Sequence, residues 1–84
     1  MDIITSKTPT LDLHGEISSM VEALVNEFIK DQYKMGHNLV IIVHGKSSNI
    51  LKNEVHRVLK ENPYVLNFKL DIWNIGSTIV NLKD

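Results

Sequence analysis

The stretch LVIIVHG, from Leu39 to Gly45, contains the longest unbroken apolar run of the chain. The run is mostly β-branched, which is typical of a central strand that is covered on both faces of a sheet. His44 and Gly45 end it. We therefore predict a strand over residues 39–43 that leads into a His-Gly turn.

A second His-Gly pair closes the stretch LDLHG, from Leu11 to Gly15. Apolar and polar residues alternate before it, which predicts a short half-buried strand that Gly15 ends. Between the two predicted strands, apolar residues recur at helical spacing and form one face of a helix. These residues are Val21, Leu24, Val25, Phe28 and Ile29.

Both ends of this first helix carry recognisable signals. Ser18 or Ser19 is predicted to cap its N-terminus, and Ser19 and Glu22 have the spacing of a capping box. Gly36 lies where a helix C-terminus favours a residue in the left-handed conformation.

A second helix is predicted after the polar turn that follows His44 and Gly45. Asn49 is expected to cap this helix, and Asn62 with Pro63 to end it. Its apolar stripe consists of Leu51, Val55, Val58 and Leu59.

The remaining sequence predicts a β-hairpin whose strands span residues 65–73 and 77–82, joined by Asn74, Ile75 and Gly76. The element order is then β-α-β-α-β-β. The first crossover makes the first two strands parallel, and the hairpin adds an antiparallel pair. We predict an α/β fold of the two-layer α+β type, with a small mixed four-stranded sheet and two helices. Residues 1–10 are interpreted as an N-terminal lead-in and residues 11–84 as a single domain.

Composition restricts the function of the chain. Its 84 residues include no cysteine, which excludes disulfides, a thiol nucleophile and cysteine-ligated zinc. No signal-peptide pattern opens the sequence, and no apolar run approaches the roughly 18 residues of a membrane helix. A cytoplasmic protein with no membrane partner is expected. The net charge is −1, and Arg57 is the only basic residue that is not lysine, so phosphate contacts would be local and electrostatic.

Polar residues follow both predicted parallel strands. Asp12 and His14 are two residues apart, so on a strand their side chains leave the same face, as a general acid or base and its carboxylate partner would. The alternative is a solvated strand edge. His44, Lys46 and Lys52 surround the start of the second helix, whose free N–H groups favour an anion. Strand ends of this kind commonly bind ligands, although His44 could also be a turn residue that bonds to the backbone.

These motifs resemble the Smr domain, named for small MutS-related proteins. The resemblance runs from LDLHG through IIVHGK, residues 41–46, and Leu51 with Lys52, to the segment NIGSTIVNL, residues 74–82. It implies the same β-α-β-α-β-β fold, nucleic-acid binding and, in several members, endonuclease activity on DNA or RNA.

The resemblance also implies site residues. The family's Leu-Asp-x-His motif falls on residues 11–14, with Asp12 and His14 in the implied catalytic positions, and its His-Gly-x-Gly turn begins at His44. We take these three residues as catalytic candidates. The candidates for nucleic-acid and phosphate binding are Gly15, Gly45, Lys46, Ser47, Asn49 and Lys52. Two positions differ from the family pattern, because Ser47 and Asn49 replace glycines that are usual in the turn.

The resulting hypothesis is a nucleic-acid-binding domain that cleaves phosphodiester bonds of RNA or DNA. His14 would act as general acid or base and Asp12 would orient it, while His44 and the second helix hold the phosphate. The alternative is a module that binds nucleic acid at the same surface without cutting it. No cofactor or metal site is predicted, and no ligand spacing supports Mg²⁺.

Four further residues are assigned no function. Trp73 and Tyr64 could stack on unpaired bases, but core or rim positions in a small sheet are favoured for both. His37 and His56 are expected to be exposed.

Overall fold

The computed structural model describes residues 3–47 and 49–84. The elements follow the predicted order. They are β1 (Thr10–Asp12), α1 (Ser18–Lys34), β2 (Leu39–Val43), α2 (Asn49–Glu61), β3 (Val65–Leu70) and β4 (Ser77–Leu82). The prediction of two helices and four strands is confirmed.

The four strands form one mixed sheet in the order β1-β2-β4-β3. β1 and β2 are parallel, with Asp12 opposite Val43, and β4 pairs antiparallel with both β2 and β3. β4 therefore lies between β2 and β3, although it is last in the chain. This arrangement confirms the predicted mixed sheet and brings the start of β4 beside the end of β2.

Both helices share one core with one face of the sheet. In β2, Val40 and Ile42 are buried, whereas the alternate residues Leu39, Ile41 and Val43 are half-buried. The prediction that β2 is covered on both faces is therefore wrong for the second face. α1 and α2 also contact each other, and both contribute to a single cluster of buried residues. The cluster comprises Leu13, Val21, Val25, Ile29, Val40, Ile42, Leu51, Val55, Val58, Leu59, Val80 and Leu82.

Two strands are shorter than predicted because turns begin before their ends. β1 stops at Asp12, and Gly15 then adopts a left-handed φ of 81°. β3 stops at Leu70 rather than at residue 73. The side chain of the next residue, Asp71, accepts a hydrogen bond from the backbone N–H of Trp73 and so starts a turn. The apolar residues Ile72 and Trp73 are typical of a strand, so the sequence pattern does not indicate this turn.

The ends of α1 are partly as predicted. The helix begins at Ser18, and Ile17 precedes it without a side-chain cap, so the predicted serine cap and capping box are wrong. The glycine stop is confirmed: Gly36 has φ 83° and donates to the Tyr33 carbonyl, and His37 donates to the Gln32 carbonyl. This pair of bonds is a Schellman motif.

The ends of α2 follow a similar pattern. Asn49 is the first residue of the helix rather than its cap, and Ser48, the residue before it in the sequence, lies outside the described residues. Asn62 and Pro63 follow Glu61 and end the helix as predicted.

Candidate functional site

A cleft of about 560 Å³ separates the two His-Gly turns. It forms because β1 and β2 are parallel neighbours, so the turns that follow them leave the same edge of the sheet. One wall consists of residues 14–18, and the other of His44, Gly45, Ser47, Ile50 and Leu51. The structure therefore brings His14 and His44 to a single cleft.

His14 lies exposed in the first turn, just beyond the end of β1. Its backbone N–H donates a 2.9 Å hydrogen bond to Oδ1 of Asp12. Among the described residues, no hydrogen bond joins the Asp12 carboxylate to the His14 ring. Asp12 therefore fixes the backbone of the turn that carries His14, which differs from the direct carboxylate–imidazole contact expected from their spacing.

His44, unlike the exposed His14, is buried, with only 1% of its surface exposed. Its Nδ1 lies 3.2 Å from the Gly45 carbonyl oxygen, and its Nε2 lies 2.9 Å from Oγ1 of Thr78. Because a carbonyl only accepts, Nδ1 carries the proton, and Nε2 of the neutral ring accepts from the Thr78 hydroxyl. Both ring nitrogens of His44 thus have partners inside the protein.

The Thr78 hydroxyl also contacts a third histidine. Nε2 of His56 lies 2.7 Å from Thr78 Oγ1 and donates to it, since the hydroxyl proton is directed at His44. The His44 and His56 rings meet edge to face at 6.0 Å, and the His56 ring also lies 5.0 Å from that of Phe68. We call His44 and His56, joined through the Thr78 hydroxyl, the histidine pair; His44 is buried and His56 is half-buried.

The expectation that His56 is exposed is wrong, because α2 turns it toward the sheet. A sequence signal for this exists: Lys52, Val55, His56 and Leu59 follow the i, i+3, i+4, i+7 spacing of one helix face. Thr78 likewise lies two residues before the buried Val80 on β4, so both side chains point at the helices.

Burial is the main influence on the protonation of this pair. Desolvation lowers the pKa of His44; the hydrogen bond to Gly45 opposes that change, and the charge of Lys52 adds to it. Desolvation also lowers the pKa of His56; repulsion from His44, whenever that ring is protonated, and the charges of Lys52 and Lys60 act in the same direction. Both rings are therefore held in the neutral form.

The β3–β4 hairpin is attached to the second His-Gly turn. The Gly76 carbonyl accepts hydrogen bonds from the backbone N–H groups of His44, at 2.8 Å, and Gly45, at 3.0 Å. A Cβ added at Gly76 would lie 3.1 Å from both the Gly45 carbonyl carbon and Lys46 Cγ. Glycine at position 76 therefore allows the hairpin to lie directly against the turn.

The family model of the Smr domain matches residues 11–83. This chain belongs to the Smr family. The resemblance inferred from the sequence motifs is thereby confirmed.

Solved structures share the fold of this Smr domain. The Smr domain of Thermus thermophilus MutS2 matches it with a TM-score of 0.86 at 20% identity, covering 92% of this chain and 100% of that one. YdaL, a stand-alone small MutS-related protein from Escherichia coli, matches with a TM-score of 0.85 at 26% identity, covering 94% of this chain and 70% of that one.

Related sequences also occur within longer proteins. The chain is 32% identical over 77 residues to the Endonuclease MutS2 of Halothermothrix orenii, covering 92% of this chain and 10% of the relative. The Endonuclease MutS2 of Solidesulfovibrio magneticus is 33% identical over 76 residues, covering 87% of this chain and 10% of the relative. The chain thus spans about a tenth of the length of these relatives.

The two departures from the Smr turn pattern do not strain the backbone. Gly45 has a φ of 93°, but no described residue other than glycine has a positive φ. Ser47 and Asn49 are described and exposed. Neither therefore occupies a conformation that only glycine adopts easily, and the second turn is formed without glycines at these positions.

Only some of the candidate binding residues of this Smr domain line the cleft. Gly15, Gly45 and Ser47 line the cleft, whereas Lys46, Asn49 and Lys52 lie outside its described lining. Lys46 and Asn49 are exposed, and Lys52 is half-buried on α2, close enough for its charge to lower the pKa of both His44 and His56.

The two aromatic candidates differ in exposure. Tyr64 stacks on Tyr33 with ring centroids 4.4 Å apart, which fits the favoured core or rim position. Trp73 is 90% exposed at the hairpin tip, so a core position is wrong for it.

The part of the chain that the structure describes contains neither a metal-binding cluster nor a membrane-spanning helix. In residues 3–47 and 49–84, no group of three or more His, Asp or Glu side chains is placed to hold a metal ion. Neither α1 nor α2 has the length and apolar character that a membrane-spanning helix needs.

Proposed function

We propose that this Smr domain binds nucleic acid across the cleft and cleaves a phosphodiester bond of RNA or DNA. The observation that carries the proposal is the cleft itself, which sets the exposed imidazole of His14 opposite the second His-Gly turn and the start of α2. The proposal is supported by two relatives whose name is Endonuclease MutS2.

The α2 side of the cleft suits a phosphate. Ser47, Ile50 and Leu51 line it, so the cleft borders the N-terminus of α2, where the positive end of the helix dipole attracts anions. Lys46 and Lys52 add positive charge before and within the first turn of α2. In this proposal the scissile phosphate lies here, held by the lysine charges and the helix dipole rather than by an arginine fork.

The first turn supplies the group that transfers a proton. His14 is exposed to substrate, and Asp12 holds its backbone, so the imidazole acts from a fixed turn as general acid or base. With RNA, the adjacent 2′-hydroxyl would attack the phosphorus as the bond to the 5′-oxygen breaks. His44 acts as a positioning residue in this scheme, because both its ring nitrogens are already occupied.

Cleavage of single-stranded RNA and duplex DNA, with and without Mg²⁺, tests the proposal. His14→Ala should slow cleavage by roughly 10²–10⁴-fold and leave affinity nearly unchanged, since the lysines and α2 still meet the phosphate. Lys46→Ala with Lys52→Ala should instead weaken binding. His37→Ala is the matched control: this exposed histidine precedes β2, at the opposite end of the sheet. Equal cleavage by wild type and His14→Ala would disprove the catalytic assignment.

A second candidate is a binding module that does not cut. Two observations favour it: the Asp12 carboxylate bonds to the backbone of His14 rather than to its ring, and His44 is buried. Of the three catalytic candidates, only His14 then has a ring exposed to a substrate. Under this alternative, the wild type cuts none of the substrates at any Mg²⁺ concentration, whereas the double lysine variant still loses binding.

A further inference from the structure

The tip of the β3–β4 hairpin exposes two large apolar side chains to solvent. Ile72 is 81% exposed and Trp73 is 90% exposed, the two largest fractions among the large apolar residues that the structure describes. An indole this exposed contributes little to the core. Its surface is instead available to a binding partner.

The hairpin tip is held in shape by its own hydrogen bonds. Asp71 Oδ1 accepts from the Trp73 N–H at 2.9 Å, and Asn74 Oδ1 accepts from the Gly76 N–H at 3.1 Å. The backbone N–H groups of Asn74 and Ser77 donate to the Asp71 and Asn74 carbonyls. These successive turns fix the backbone beneath Trp73, so little loop entropy is lost when its ring binds.

The same loop is joined to the proposed phosphate site. The Gly76 carbonyl accepts from His44 and Gly45, and the stem of Lys46 lies against Gly76. Trp73 is three residues from Gly76, so their Cα atoms are at most about 11 Å apart. A nucleic-acid strand with a phosphate near Lys46 therefore has its neighbouring nucleotides within reach of the indole.

We propose that Trp73 stacks on an unpaired base of the bound strand, and that the substrate is therefore single-stranded or locally unpaired. The inference rests on the proposed function and adds its substrate class. The flat indole matches the face of any base, whereas bases within a duplex present only their edges. The adjacent Lys46 provides charge for the phosphate of the same strand, a combination typical of single-strand binding surfaces.

Intrinsic tryptophan fluorescence can detect this contact, because Trp73 is the only tryptophan in the sequence. Titration with a single-stranded oligonucleotide should quench the intrinsic fluorescence to saturation. The same sequence annealed into a blunt duplex should quench it much less. Quenching of equal depth by strand and duplex would contradict the inference.

Substitutions separate stacking from general apolar contact. Trp73→Leu keeps an apolar side chain but removes the ring, and should weaken single-strand binding by about 5-fold to 100-fold. Trp73→Phe keeps a stacking ring and should retain most of the affinity. Met35→Ala removes an exposed apolar side chain from the C-terminal end of α1 and should change nothing. Circular dichroism verifies that each variant folds.

The outcomes distinguish this inference from the proposed function. If Trp73→Leu binds single strands as tightly as wild type while the double lysine variant loses affinity, only the stacking inference is wrong. If the wild type binds neither strand nor duplex, both fail, and the exposed indole serves another partner such as a protein.

Discussion

Thr78 places a single hydroxyl between two imidazole rings that are both largely withdrawn from water. It donates to His44 Nε2 and accepts from His56 Nε2. In the described residues, no buried side-chain nitrogen or oxygen lacks a hydrogen-bond partner. The arrangement therefore depends on Thr78, because no other described residue is hydrogen-bonded to Nε2 of His44 or Nε2 of His56.

Thr78→Val should show this dependence, since valine keeps the shape but removes the hydroxyl. Two ring nitrogens lose their partner, and we expect the free energy of unfolding to fall by about 1–3 kcal/mol. Urea denaturation measures the change. Thr10→Val is the control: its exposed hydroxyl bonds only to the Thr8 carbonyl, so the change should stay within about 0.5 kcal/mol. Equal effects of the two substitutions would contradict the assigned role of Thr78.

The pKa values of the same rings predict how stability depends on pH. Burial lowers the pKa of His44 and His56 in the folded state, below the value of about 6.5 for an unperturbed histidine. Below about pH 6.5 the unfolded chain therefore binds more protons than the folded one. Stability should decrease as the pH falls through this range and level off below the folded pKa values.

Urea denaturation at about pH 7.5, 6.5 and 5.5 measures this slope, because these values bracket the pKa of about 6.5 of histidine in the unfolded chain. His56→Gln removes one titrating ring but keeps an amide donor for Thr78, so the slope should become shallower. His37→Gln makes the same substitution at an exposed histidine and serves as its control. An unchanged slope in His56→Gln would show that His56 is not the source.

Between elements, the parallel pairing of β1 and β2 aligns the two His-Gly turns, and the hairpin supports the second turn. The helices are linked separately. Arg57 on α2 contacts Glu54 and Glu61 of the same helix and Glu22 of α1, at 2.8, 3.1 and 3.0 Å. These carboxylates raise the pKa of Arg57 further above its ordinary value. The only arginine is thus engaged between the helices, which leaves lysines for the phosphate.

The contact between hairpin and turn leads to a prediction for Gly76→Ala. The added Cβ would lie 3.1 Å from the Gly45 carbonyl carbon and Lys46 Cγ, closer than an ordinary contact, so the turn must move by a few tenths of an ångström. We expect a loss of about 1–3 kcal/mol in stability and a change in the amide NMR resonances of His44 and Gly45. Gly36→Ala, at the far end of α1, also costs stability through its positive φ, but should leave those resonances in place. Unchanged resonances in Gly76→Ala would rule out the proposed coupling.

For the domain as a whole, sequence periodicity predicts the helices and strands but not the contacts between distant residues. The apolar run of β2 and the stripes of both helices depend on local spacing, and they were placed correctly. The insertion of β4 between β2 and β3 depends on pairing across the chain, which periodicity does not encode. The inward face of His56 follows from its helical spacing to Lys52 and Leu59, but its hydrogen bond to Thr78, 22 positions away, is a pairing that spacing does not predict. Asp12 was correctly placed near His14, but a spacing of two does not distinguish ring from backbone contact.

The charge of the whole molecule determines how it should bind nucleic acid. The net charge is −1, so long-range attraction is weak and affinity must come from the few lysines near the cleft. Each phosphate that a lysine neutralises contributes about 0.7–0.9 to the slope of log affinity against log salt concentration.

If Lys46 and Lys52 make two such contacts, replacing both with alanine should reduce the slope by about 1.4–1.8. Lys7→Ala with Lys83→Ala, two exposed lysines near the chain ends, should leave it unchanged. Titrations at several salt concentrations measure these slopes, and equal slopes for wild type and Lys46→Ala/Lys52→Ala would place the phosphate elsewhere.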